Sequence, residues 1–173
     1  MELHDGQKSV RSLLYRGNVC ARVGRRWGKT LLAANIANQY AFSRSNVAYV
    51  VINNIMKKYT EDLVSDRVKV ISSTDGINPL SSYDLLVLDD PAYFQQSFWL
   101  GARYVINNSR RVIAIGTQDY TAPSAKYFAM LPFEPGWTFY SGGSEECPII
   151  PKGLLDEIKA ERPEIYKVQY GGH

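Results

Sequence analysis

Gly28-Lys29-Thr30 stands between a short apolar run, Val19–Val23, and a helix-forming run, Leu31-Leu-Ala-Ala-Asn-Ile-Ala-Asn38. A strand, a tight turn and a helix in that order form a phosphate cradle. Backbone N–H groups at the helix N-terminus point at the anion, and the helix dipole favours negative charge there. Lys29 is placed to reach the β- and γ-phosphates of a nucleotide, and the Thr30 hydroxyl to ligate Mg²⁺. The loop departs from the Walker A pattern at one place. Five positions before Gly28 stands Val23 instead of glycine, with Gly24 one step later, and Arg25, Arg26 and Trp27 fill the rest of the loop.

Carboxylates come from Leu85-Leu-Val-Leu-Asp89-Asp90-Pro91. An acid at the C-terminal end of a buried strand lies in the crevice where open α/β sheets bind ligands. Asp89 is the candidate to hold the metal and Asp90 the candidate to orient or deprotonate an attacking water. The simpler reading makes both acids a cap for the following helix. Gly116-Thr117-Gln118 ends another apolar strand, where polar groups can touch a γ-phosphate or the water beside it. Arg25 or Arg26 can neutralise charge developing on a transferring phosphoryl group, or simply pair with an acid.

Alternating apolar strands and helices must position these groups. Helical spacing predicts a helix over residues 4–16, then strand 19–23, a helix from Gly28 to about Phe42, and a buried strand within 46–52. A helix over 55–64, a strand over 68–71, the acidic strand 85–89 and an aromatic-rich helix over 92–107 follow. Its aromatics (Tyr93, Phe94, Phe98, Trp99, Tyr104) read as packing residues. Strand 112–115, a helix over 124–131, an edge strand over 137–140 and a helix over 152–161 complete the chain. The pattern is that of a single α/β domain, residues 1–173, with a mainly parallel central sheet flanked by helices.

Composition agrees with that architecture. The chain has 173 residues, 45% hydrophobic and 21% charged, which is enough to bury a core. No apolar run approaches the roughly 20 residues that span a bilayer, and no signal peptide opens the chain, so no membrane partner and a cytosolic site are expected. Cys20 and Cys147, the two cysteines, have no metal-ligand spacing. The net charge of +3 permits a polyanionic partner without requiring one.

Taken in order, Asp5-Gly-Gln7, Gly24-Arg-Arg-Trp-Gly-Lys-Thr30, Leu88-Asp-Asp-Pro91 and Ile115-Gly-Thr117 resemble the ATPase domain of the viral terminase large subunit, the DNA-packaging motor of tailed bacteriophages. The closing segment, Pro148–Lys152 through Gly171, is similar to the end of that motor domain. The resemblance implies a P-loop NTPase fold of the ASCE type, with ATP and Mg²⁺ bound. It makes Gln7 the adenine-reading glutamine, since an amide can match the adenine edge with two hydrogen bonds. Gly24, Arg25, Arg26, Trp27, Gly28, Lys29 and Thr30 become the nucleotide loop, with Arg25 acting in cis on the γ-phosphate. Thr30 and Asp89 become metal ligands, Asp90 stands where the catalytic glutamate is found, and Gly116, Thr117 and Gln118 form the coupling motif. An aspartate is one methylene shorter than the glutamate it replaces.

The resemblance further implies double-stranded DNA, a portal protein and a small terminase subunit as partners. It implies a homo-oligomeric ring, commonly a pentamer, working in the host cytoplasm and transiently at the procapsid portal. Arg103, Arg110 and Arg111 are candidates for an arginine acting on a neighbour's site, and Lys57, Lys58, Arg67 and Lys69 for DNA contact. The region between Asn53 and Tyr83 is shorter than that family leads one to expect, and no nuclease domain or nuclease activity is expected. Two rivals remain: a helicase-like, nucleic-acid-stimulated ATPase, and a nucleotide-binding structural subunit with little turnover.

Overall fold

In the computed structural model, residues 2–172 are described; Met1 and His173 lie outside them. The elements are α1 (Asp5–Leu14), β1 (Asn18–Val23), α2 (Lys29–Phe42), β2 (Val47–Val51), α3 (Asn54–Glu61), β3 (Val68–Ser72) and β4 (Leu85–Asp89). After these come α4 (Phe98–Asn108), β5 (Val112–Gly116), α5 (Ala125–Met130), β6 (Trp137–Gly142), α6 (Lys152–Glu161) and α7 (Pro163–Gln169). The six strands form one parallel sheet in the order β3-β2-β4-β5-β1-β6.

The near-continuous apolar strands follow from this layering. Strands β2, β4 and β5 are buried at every position, because helices cover both faces. Alternate residues serve opposite cores. Val19, Ala21, Tyr49, Val87 and Ile113 pack with Val10, Leu14, Leu32 and Ile36 of α1 and α2. Cys20, Ala48, Leu86, Leu88 and Ala114 pack with Phe94, Phe98, Trp99 and Phe128 on the other face. Strand β5 stands between β1, which leads into the Gly24–Gly28 loop, and β4, which ends in the acids.

The expected helix over 92–107 is corrected. Pro91–Tyr93 forms a single 3-10 turn, Phe94 is extended, and α4 begins only at Phe98. Ser124 accounts for the interruption: its buried hydroxyl donates to the Phe94 carbonyl at 2.7 Å, and its N–H donates to the Ala92 carbonyl at 2.8 Å. The lost helical turn lets Phe94, Phe98 and Trp99 meet in one core, with the Phe94 and Phe98 rings edge-to-face at 5.1 Å. Helix α7 was not anticipated from the sequence, although Pro163 at its first turn is a start signal.

Candidate functional site

Val23 is not a damaged position. It is the last residue of β1, in ordinary strand geometry and fully buried, so no glycine is required there. The glycine requirement falls one residue later. A Cβ on Gly24 would strike the Ser144 hydroxyl and the Tyr170 carbonyl, and the Gly24 N–H donates to the Gly142 carbonyl at 3.0 Å. The loop then turns with Arg26 at φ 59° and Gly28 at φ 92°, and α2 starts at Lys29. Gly28 is favoured by its left-handed φ, and a Cβ there would push the end of the Gln7 side chain, whose Nε2 would lie 2.6 Å away.

Trp27 fills the loop by leaving it. Its indole is completely buried, stands edge-on to His4 at 4.7 Å, and donates its N–H to Glu146 Oε2 at 2.8 Å. The Trp27 side chain is therefore turned away from the loop into the core. Trp27→Ala is expected to cost about 3–5 kcal/mol of stability, read from the denaturant midpoint. Trp27→Phe, which keeps the contact with His4, should cost less.

At the head of α2 the predicted residues converge. The Lys29 ammonium donates to Thr117 Oγ1 at 3.1 Å and lies 3.6 Å from Asp90 Oδ1. The Thr117 hydroxyl in turn donates to the Val23 carbonyl at 3.0 Å, and its N–H donates to Asp90 Oδ1 at 3.2 Å. Thr117 thus joins the loop strand, the lysine and the acid. Asp90 sits in a left-handed conformation (φ 55°), and its side chain makes no capping hydrogen bond. The carboxyl is turned to Lys29 and Thr117, so the helix-cap reading does not describe it. Gly116 permits that turn, because a Cβ there would lie 3.0 Å from Pro91 Cδ and 3.1 Å from Asp90 Cα. Gln118 goes elsewhere: buried, it donates to the Ala125 carbonyl at 3.3 Å, away from the lysine.

Asp89 lies beneath this group, only 3% exposed. The Tyr49 hydroxyl donates to its Oδ2 at 2.9 Å. The Thr30 hydroxyl is near enough to favour the charged carboxylate, yet Oδ1 has no hydrogen bond of normal geometry among the described residues. Burial first and the neighbouring Asp90 second push Asp89 up to about 7. A buried carboxylate with one free oxygen, next to the Thr30 hydroxyl, has the donor chemistry that a hard cation such as Mg²⁺ takes.

Gln7 stands beside the loop rather than apart from it. Its Oε1 accepts the His4 N–H at 3.3 Å, and its Nε2 reaches the Gly28 and Trp27 carbonyls at 3.4 and 3.5 Å. It lines a groove of about 1040 Å³ with Gly28, Leu31, Tyr140 and Ile149. Arg25 and Arg26 are both exposed. The Arg25 main chain is held on two sides: its N–H donates to the Gln169 carbonyl at 2.6 Å, and its carbonyl accepts the Ser144 hydroxyl at 2.7 Å. The positive charge of its side chain is felt at Tyr93 and Asp119, which are themselves hydrogen-bonded at 3.0 Å.

Sequence reasoning missed Tyr49, His4 and Glu146. Tyr49 carried a usable signal: it is the one polar-tipped residue within an apolar buried strand, so its hydroxyl had to find a partner. His4 and Glu146 act through Trp27 and gave none. Arg103, Arg110 and Arg111 lie on α4 and at the start of β5, away from the lysine and acids. Among the described residues, both cysteines are free and no helix is long and apolar enough to cross a membrane.

No family model matches the chain, and no curated protein matches it in sequence. Solved structures do match. The large terminase ATPase domain of Thermus phage P74-26 superposes with a TM-score of 0.70 at 15% identity, covering 99% of this chain and 94% of that one. An arginine-to-alanine mutant of the same domain gives a TM-score of 0.71 with the same identity and coverage. The chain therefore has the fold of a phage large terminase ATPase domain, a P-loop NTPase fold with an all-parallel six-stranded sheet.

Proposed function

We propose that this chain is an Mg²⁺-dependent ATPase that drives double-stranded DNA into a viral procapsid, as the motor part of a large terminase. The observation that carries the reading is the convergence of Lys29, Asp90 and Thr117 over the buried Asp89, at the N-terminus of the helix that leaves the phosphate loop. The phosphates would lie on the loop backbone at the positive end of α2. Lys29 then leaves Asp90 for the β- and γ-phosphates. That exchange frees the Asp90 carboxylate to accept a proton from a water attacking the γ-phosphorus, giving ADP and phosphate. Thr30 and Asp89 would hold Mg²⁺, which neutralises phosphate charge when bound. Arg25, exposed at its side chain and fixed at its main chain, would meet charge on the transferring group. Gln7 and the groove beside it are the place for the adenine, and the long hydrogen bonds of Gln7 are cheap to exchange for base contacts.

Asp90→Asn keeps the size and tolerates the left-handed backbone, so it tests the acid alone. Turnover is expected to fall about 10²- to 10⁴-fold with nucleotide affinity retained. Asp90→Glu should keep substantial turnover. An Asn variant as active as the original would leave Asp90 without a catalytic part and favour a nucleotide-binding structural subunit.

The motor reading includes a homo-oligomeric ring, a portal protein and a small terminase subunit as partners, and action in the host cytoplasm at the procapsid. Its decisive experiment is ATP hydrolysis by the purified chain with and without duplex DNA and a portal complex. Stimulation by either supports the motor; hydrolysis that ignores both speaks against it.

A further inference from the structure

The edge of the sheet opposite the lysine and acids is lined with unpaired arginines. Each parallel strand starts at that edge, so the residues just before the strands form its floor. Arg16 precedes β1, Arg44 precedes β2, Arg67 precedes β3, and Arg110 and Arg111 precede β5. Arg16, Arg44, Arg67 and Arg110 are exposed. Among the described residues, the ion pairs within 4.0 Å are Lys8–Asp5 and Lys29–Asp90, and none involves these arginines. Arg111 is different: it donates to the Leu14 and Tyr15 carbonyls at 3.1 and 3.4 Å and closes the end of α1.

This floor is built rather than loose. Asn46 donates to Asp84 Oδ2 at 2.8 Å and to the Ser82 carbonyl at 3.0 Å. Arg110 N–H donates to the Tyr83 carbonyl at 2.8 Å, and Asn18 Oδ1 accepts the Val112 N–H at 2.9 Å. Those bonds tie the loops before β1, β2, β4 and β5 into one surface. Acids share this side of the sheet: Glu61 and Asp62 close α3 on the way to β3. Asp84 accepts the Asn46 N–H, Asp66 adjoins Arg67, and Glu134 lines a cleft of about 630 Å³ with Arg16 and Arg110.

Arg44 adds an independent observation. It occupies the position just past the C-cap of α2 at φ 61°, where glycine is the low-strain residue. Arginine at this left-handed position costs backbone strain that glycine would not. From Arg67 to Arg16 the floor crosses four strand spacings, about 19 Å, which matches roughly five to six base pairs of duplex.

We propose that this floor binds the phosphate backbone of duplex DNA through Arg16, Arg44, Arg67 and Arg110, irrespective of sequence. The proposal rests on the motor reading above and places the DNA on the face opposite the nucleotide. Of the earlier candidates, Arg67 belongs to this surface, while Lys57 and Lys58 lie on α3 and Lys69 lies within β3.

The test compares the full chain with Arg16→Ala/Arg44→Gly/Arg67→Ala/Arg110→Ala by fluorescence anisotropy on a labelled mixed-sequence duplex, from about 50 to 200 mM salt. Removing four phosphate contacts should flatten the slope of log K against log salt by about 3.6 and weaken low-salt binding by roughly a hundredfold. Nucleotide binding should be unchanged. Arg44→Gly alone should flatten the slope by about one while holding or raising the denaturation midpoint. Equal DNA affinity and slope in the four-residue variant would overturn the surface and leave the motor reading intact. No DNA binding by the unsubstituted chain would overturn both. Loss of self-association with DNA binding retained would reassign the floor to a contact between subunits.

Discussion

Lys29→Ala is expected to reduce ATP hydrolysis by at least about 10²- to 10³-fold, the scale found when a single preorganised charge donor is lost from a transition state. The ammonium sits between Thr117 Oγ1 and Asp90 Oδ1 at the positive end of α2, so it needs only a short move to meet phosphates lying on the loop. Its removal also acts on the unliganded protein. Asp90 and the buried Asp89 would face each other with no cation between them. The folded state should then lose about 1–3 kcal/mol, read as a lower denaturation midpoint. Steady-state phosphate release measures the first effect, and undiminished release would remove Lys29 from the nucleotide site.

Asp89→Asn should produce the opposite pairing of effects: turnover lost, and the nucleotide- and metal-free protein made more stable. Burial raises Asp89 from 3.8 to about 7 in the folded protein, so the folded state keeps this proton where the unfolded chain has released it. Stability contributed by this group is therefore highest below 3.8, falls as pH rises to about 7, and is level above that. The penalty at neutral pH is on the order of a few kcal/mol. In the variant the amide oxygen can still accept from Tyr49 while the amide nitrogen takes the place of the free Oδ1 beside Thr30. Midpoints measured in a chelator across pH 4–8 should slope downward for the original chain and run flatter for Asp89→Asn. A less stable Asn variant at neutral pH would mean that Asp89 contributes to the empty fold rather than burdening it.

Much of this arrangement was legible in the order of residues. Runs such as Val47–Val51 and Leu85–Asp89 announce strands buried on both faces, and parallel strands leave their C-terminal ends together, which is why Lys29, Asp89 and Thr117 meet. What stayed hidden depends on single backbone angles and on distant partners. Whether Asp90 caps a turn or faces Lys29 is decided by one positive φ. Trp27 read as a loop residue near phosphates because its partners, His4 and Glu146, come from opposite ends of the chain. The helix expected from Ala92 fails for a similar reason, since Ser124 lies some thirty residues away. Val23 shows the converse case. A missing glycine looked like a defect until the tight approach was found at Gly24.

The grip of α7 on Arg25 has a consequence for timing. With its N–H tied to Gln169 and its carbonyl to Ser144, this residue cannot be repositioned by a drifting loop. Its guanidinium is exposed and moves only by turning about its own side-chain bonds, an event of picoseconds to nanoseconds, whereas loop rearrangements take nanoseconds to microseconds. On the proposed reading, arrival of this arginine at a bound phosphate would then not be a slow step. The pace of the proposed cycle would then be set by other movements, such as the exchange of Lys29 from Asp90 to the nucleotide.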